Sequence, residues 1–158
     1  MSEQHQQQSS HSSEGYRRVV TGLNEQGQSS VILDGPVSGT PVVAWRTKTV
    51  PADNSGSNDI DVPQFGFDLM HDGGSNFLVS ECPPGVEIAL HATDTIDYVV
   101  MMRGEIVLLL ESGETLLKAG DLLVDRGVLH GWRNDGGETA VMAVITLPAH
   151  PVGKGRTV

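Results

Sequence analysis

Two histidines and an aspartate stand where a β-structure would bring them together: His91 and Asp97 in the stretch GVEIALHATDTIDYVVMMRG, and His130 in GDLLVDRGVLHGWRN. Imidazole titrates near neutrality, and a carboxylate beside it shifts and orients it, so the pair suits general acid and base work. Neutral imidazole and carboxylate are also donors for divalent metals. A third use is structural, a buried histidine satisfied by hydrogen bonds with an acid orienting it. All three uses need distant segments of the chain to converge inside one closed structure.

The elements that would position these groups are strands. If residues 86–102 are regularly extended, the period of two places Glu87, Ala89, His91, Thr93, Thr95, Asp97, Val99 and Met101 on one face. The other face carries Ile88, Leu90, Ile96, Tyr98, Val100 and Met102, so the segment is expected to be covered on both sides. Downstream, EIVLLLES, ETLLK, LLVD, VLHGWR and TAVMAVITL alternate with glycine turns; upstream, strand-like runs occur at residues 18–21, 30–33, 42–47, 65–70 and 77–82. No long helical periodicity interrupts them. Short strands with regularly spaced turns predict an all-β sandwich or closed barrel.

Residues 1–15 lack large apolar side chains beyond Met1 and predict a disordered tail, with His5 and His11 solvated in it. Residues 16–75 are expected to form extra N-terminal strands and loops, residues 76–148 the barrel core, and residues 149–158 a C-terminal tail with His150 exposed. Arg17 and Arg18 read as an exposed basic pair, and His71 as a turn residue. The polar run over residues 51–64 is a long surface loop, a kind that is often mobile or laid over a site.

The 158-residue chain is of single-domain size, and its formal net charge of -10 repels phosphate backbones and anionic lipid. Nucleic acid and membrane partners are therefore not expected. With no long apolar run and no signal-peptide pattern, a cytoplasmic location is expected. Cys82 is the single cysteine, set between Glu81 and Pro83, and reads as a partly buried small side chain.

The two stretches resemble the paired motifs of the cupin family. Gly85, His91, Thr93, Asp97 and Gly104 fall at the spacing of its first motif, and Gly120, Gly127, His130 and Asn134 follow the second, one residue short and without its proline. The resemblance implies a single jelly-roll β-barrel. In metal-binding cupins it also implies three histidines and a glutamate around one ion. This chain has Thr93 at the position of the middle histidine and Asp97 at that of the glutamate. A hydroxyl is a poor ligand for a transition metal, and aspartate reaches about 1.5 Å less far than glutamate.

What remains is His91, Asp97 and His130, read as the catalytic set and as ligands of a divalent metal: iron, zinc, manganese or nickel. Without metal, the same residues would form an acid and base pair, as the resemblance to certain sugar epimerases implies. Thr93, Thr95, Trp132 and Glu87 are the candidate substrate contacts, Trp132 by stacking. The function expected is a small-molecule enzyme of lyase, dehydratase or isomerase type acting on an oxygenated organic acid or ring compound, with oxygenase chemistry ranked lower. The alternative is a barrel that only binds a small molecule. The apolar outward face of the central strand, and the pairing common among such barrels, point to a homodimer.

Overall fold

The computed structural model describes residues 15–61 and 64–158. The tail expected over residues 1–14, with His5 and His11, lies outside the described residues. Eleven strands follow in order: β1 (Tyr16–Leu23), β2 (Ser29–Val37), β3 (Val42–Arg46), β4 (Asn76–Cys82), β5 (Glu87–His91), β6 (Thr95–Arg103), β7 (Glu105–Leu110), β8 (Gly113–Lys118), β9 (Leu122–Asp125), β10 (His130–Arg133) and β11 (Ala140–Pro148). The fold is all-β, a jelly-roll barrel preceded by a two-stranded ribbon. Among the described residues, no helix is long and apolar enough to cross a membrane.

Two antiparallel sheets face one another, one in the order β3-β4-β11-β6-β9 and the other β5-β10-β7-β8. Their inner faces interdigitate. Cys82, Val99, Met101 and Met142 from the first sheet pack with Ile106, Leu108, Leu117 and Trp132 from the second. Met101 is 2% exposed and Ile106 0%, so these side chains fill the space between the sheets.

The ribbon β1-β2 lays Tyr16 and Val37 over Val42, Val79 and Val141. β3, expected among extra N-terminal elements, is an integral edge of the five-stranded sheet. Arg18 is not solvated as the sequence suggests. Its guanidinium donates to Asp59 Oδ2 at 2.5 Å and to Ala44 O at 3.2 Å and lies 5.7 Å above the Trp45 ring. Arg17 grips Asp34 with two hydrogen bonds of 2.8 Å.

The run at residues 65–70 is not a strand. Phe67–His71 form a short 3-10 helix. Phe65, Phe67 and Leu69 alternate as a strand would, but the segment pairs with no strand and packs by its side chains instead. At three residues per turn, Phe67 and Met70 lie on one side. Met70 is buried against Val43 and Leu78, with Ile60 from the preceding loop packed onto the same cluster. Arg18, through Asp59, and Ile60 thus hold this part of the polar loop down.

The C-terminal tail, residues 149–158, is tied to the barrel. Thr157 N donates to Ala92 O at 2.9 Å, Ala92 N donates to Thr157 Oγ1 at 3.0 Å, and Arg156 N donates to Asp94 Oδ1 at 2.8 Å. The C-terminal segment straps residues 92–94, the break between β5 and β6 that carries Thr93.

Candidate functional site

The site is built from two cross-strand pairs. In the four-stranded sheet His130 on β10 lies opposite His91 on β5, and in the five-stranded sheet Asp125 on β9 lies opposite Asp97 on β6. Facing of the sheets joins the pairs: His130 Nδ1 is 2.6 Å from Asp125 Oδ2. The His91 and His130 ring centroids are 4.5 Å apart.

Asp125 was not a candidate in the sequence. It ends β9, and its Oδ1 accepts the backbone N–H groups of Gly127 (3.0 Å) and Val128 (3.3 Å), the mark of an Asx turn. That arrangement fixes the carboxyl group and aims Oδ2 at His130. The run Asp-Arg-Gly after LLV held a signal for the turn, but nothing along the chain showed which acid would meet the imidazole. Gly127 completes the corner with φ +73, and a Cβ there would meet Thr93 O at 2.9 Å and Thr95 O at 3.0 Å. Only glycine lets this turn approach the break before β6 so closely.

Hydrogen bonds set the ring states. His130 Nδ1 also lies 2.9 Å from Val128 O, and His91 Nδ1 lies 2.9 Å from Ala89 O. A carbonyl only accepts, so each Nδ1 carries a proton, and each ring, when neutral, keeps its lone pair on Nε2. The His130 N–H runs to Val128 O, which leaves Asp125 Oδ2 buried close to Nδ1 without an aligned hydrogen bond. On the other side Thr95 Oγ1 donates to Asp97 Oδ1 at 2.6 Å, with Thr93 Oγ1 2.7 Å behind it.

Burial opposes charge throughout the site, and the neighbours decide the outcome. Desolvation lowers His91 below the ordinary imidazole value. It acts on His130 in the same direction, yet the close approach and charge of Asp125, with Val128 O and Asp97, outweigh it and raise His130. Asp97 is pushed up to about 6, first by burial and then by the charge of Asp125, against the Thr95 hydrogen bond and His130, which pull it down.

A cavity of about 130 Å³ opens over these groups, lined by His91, Thr93, Asp97, Asp125, His130 and Trp132 among others. Thr95 is buried behind Asp97 and not in the wall. Glu87 is exposed and outside the lining, where Ile88 stands instead. The reason is a β-bulge: His130 and Trp132 are two residues apart on β10 but oppose His91 and Ile88, three apart on β5. The extra residue reverses the faces of β5 and turns Glu87 outward. Asn134, 1% exposed, holds the neighbouring turn, donating to Cys82 O at 2.7 Å and Glu138 O at 2.9 Å.

Among the described residues, the ligand atoms that converge to within 4.8 Å of one another belong to Asp97, Asp125 and His130. Of the expected trio, Asp97 and His130 fall in this cluster, Asp125 joins them, and His91 stands beside it in the cavity wall. Two carboxylates and an imidazole suit iron(II), manganese(II) or zinc(II), and the buried, poorly satisfied Asp125 Oδ2 fits such an ion.

The comparisons with known proteins agree with this barrel. Phomopsin biosynthesis cluster protein D of Diaporthe leptostromiformis is 40% identical over 118 residues, covering 70% of this chain and 61% of that protein. The cupin-domain-containing oxidoreductase srdD of Neurospora crassa is 30% identical over 131 residues, covering 74% of this chain and 65% of that protein. The chain has the cupin fold. It spans less than two thirds of the length of these curated relatives. A solved Klebsiella pneumoniae protein with a double-stranded β-helix domain superposes with TM-score 0.49 at 24% identity, covering 72% of this cupin and 82% of that chain. No family model matches this cupin.

Proposed function

We propose that this cupin is a small-molecule enzyme of isomerase, dehydratase or lyase type that works by proton transfer at Asp97, Asp125 and His130. The observation that carries this reading is the 2.6 Å approach of His130 Nδ1 to Asp125 Oδ2 beside a second buried acid, Asp97, in one cavity wall. Asp125 is the positioning residue: Val128 O holds the His130 tautomer, and the nearby carboxylate stabilises the imidazolium that forms. His130 Nε2 takes a proton from carbon next to a carbonyl, while Asp97, raised toward neutrality, donates a proton to the carbonyl oxygen. The electron pair of the C–H bond moves into the enol. Returning a proton to the other face or position gives isomerisation, and expelling a β-hydroxyl gives dehydration.

The test is solvent-deuterium exchange into a panel of small enolisable ring ketones, followed by proton NMR. Wild type is expected to exchange one position, and Asp125→Asn to slow it by about 10²-fold or more, the size of a general-base contribution. A wild type that exchanges none of the panel, while still binding members of it, would favour a barrel that only holds its ligand.

A second reading has its own support in the convergence of the three ligand atoms. Asp97, Asp125 and His130 would hold a divalent ion, which when bound would polarise an oxygen, activate water or supply a redox centre. Relatives named cupin-domain-containing oxidoreductases from Neurospora crassa, Aspergillus ruber and Hypocrea virens favour the redox form. Elemental analysis of untagged protein separates the readings: about one equivalent of metal, lost in Asp125→Asn, supports the metalloenzyme. Relatives named for the phomopsin and oryzines biosynthesis clusters support a role in tailoring a natural product. A homodimer through the outer sheet face completes the proposal.

A further inference from the structure

The proposed reaction leaves the substrate open, and the cavity wall narrows it. Beyond the polar end, the lining is apolar and aromatic: Phe65, Phe67, Met70, Trp132, Met142 and Val144. Its rings form an unbroken series. Phe65 and Phe67 lie 5.8 Å apart edge to face, Phe67 and His91 5.1 Å, His91 and His130 4.5 Å, and His130 and Trp132 6.0 Å, centroid to centroid. Such walls favour a flat π-system that meets them by stacking or by edge-to-face contact.

Charge is the second constraint. Among the described residues neither lysine nor arginine lines the cavity, while two carboxylates do, Asp97 and Asp125. A ligand carboxylate or phosphate at the polar end would have His130 as its main attraction, and Asp125 already occupies that imidazole. The formal net charge of -10 opposes anions further at long range. Size is the third constraint: about 130 Å³ is close to the cavity of roughly 150 Å³ that accommodates benzene.

We propose that the cavity selects a neutral, planar, single-ring compound bearing a hydroxyl or carbonyl group, such as a phenol, an aromatic alcohol or a cyclic enone, and excludes carboxylates and phosphates. This rests on the reading of the cavity as the substrate site, and it narrows the organic-acid expectation drawn from the sequence. The ring lies among Phe67, Trp132 and the two imidazoles. Its oxygen faces Asp97 and His130.

Four probes that share a six-membered ring decide it by calorimetric titration at pH 8: benzyl alcohol, benzoate, phenyl phosphate and cyclohexylmethanol. Benzyl alcohol is expected to bind, with each of the other three at least tenfold weaker. Asp97→Asn should narrow the gap between benzoate and benzyl alcohol. Trp132→Phe, which keeps a ring in the wall and spares the core, should retain benzyl alcohol binding better than Trp132→Leu. Benzoate binding as tightly as benzyl alcohol would overturn the charge rule, cyclohexylmethanol doing so would overturn the planar rule, and no neutral ring binding at millimolar concentration would overturn both. Because titration needs no turnover, binding without deuterium exchange would reject the reaction and leave this specificity standing.

Discussion

Asp97 is held at a cost to the folded state. Its folded value is raised from 3.8 to about 6, so folding favours the protonated form. The stability that this group contributes is complete below its unfolded value and is lost as pH climbs through about 6. The same sign holds for His130, whose raised value means stability lost as pH passes above the ordinary 6.5. His91, lowered by burial, acts with the opposite sign below 6.5, so thermal denaturation should show a falling melting temperature from pH 6.5 to pH 8. Asp97→Asn keeps an oxygen to accept from Thr95 and removes the buried charge, so it should stabilise at pH 8 by on the order of 1–2 kcal/mol and have little effect at pH 4. Equal shifts at both pH values would show that Asp97 is not raised. The residue types were legible along the chain, as was the sharing of a face by His91, Thr93 and Asp97. Asp125 was not, because its role comes from a second sheet and not from spacing.

A single extra residue in β5 decides which of its side chains reach the cavity. The bulge sits opposite Gly131, where a Cβ would meet Ile88 O at 2.5 Å and the Ala89 carbonyl carbon at 3.2 Å. Backbone cannot yield as a side-chain tip can, so Gly131→Ala should push β5 from β10 and cost about 1–3 kcal/mol, lowering the melting temperature by several degrees. Gly137→Ala, where nothing lies within 4 Å, is the matched control and should be nearly neutral. Equal melting temperatures for the two variants would show that β5 is not locked by this contact. The even alternation assumed for residues 86–102 held through β6, whose Thr95, Asp97, Val99 and Met101 are all buried. It failed in β5, where the bulge leaves no mark in composition. The 3-10 helix is illegible for a similar reason: Phe65, Phe67 and Leu69 alternate as a strand does, and only the packing of Met70 on Val43 and Leu78 shows the tighter turn.

Across the whole molecule, the barrel buries its inner faces and leaves one outer face apolar. Phe77, Ile145, Tyr98 and Val124 are successive partners across β4, β11, β6 and β9, and Val100, Met102 and Leu122 extend the patch. All but Ile145 are exposed. A face of this kind on so acidic a chain is suited to a second copy, since a standard interface needs about 800 Å² from each partner. Sedimentation at about 10 μM should give a dimer, and Tyr98→Glu with Val100→Glu should give a folded monomer. A monomeric wild type would remove this part of the proposal.

Alternation of apolar and polar residues with glycine turns settled, from the sequence alone, that the chain is all-β, because side-chain direction along a strand follows from the backbone's period of two. The spacing of Gly85, His91, Asp97 and Gly104, with Gly127, His130 and Asn134, also marked the cupin barrel and its polar end. The tertiary structure decided which acid meets His130, that Glu87 turns outward, and that the cavity wall is aromatic and, among the described residues, without lysine or arginine. Those outcomes depend on how two sheets and a loop approach one another, and burial, charge and ring contact act through distance in space, which order along a chain does not contain.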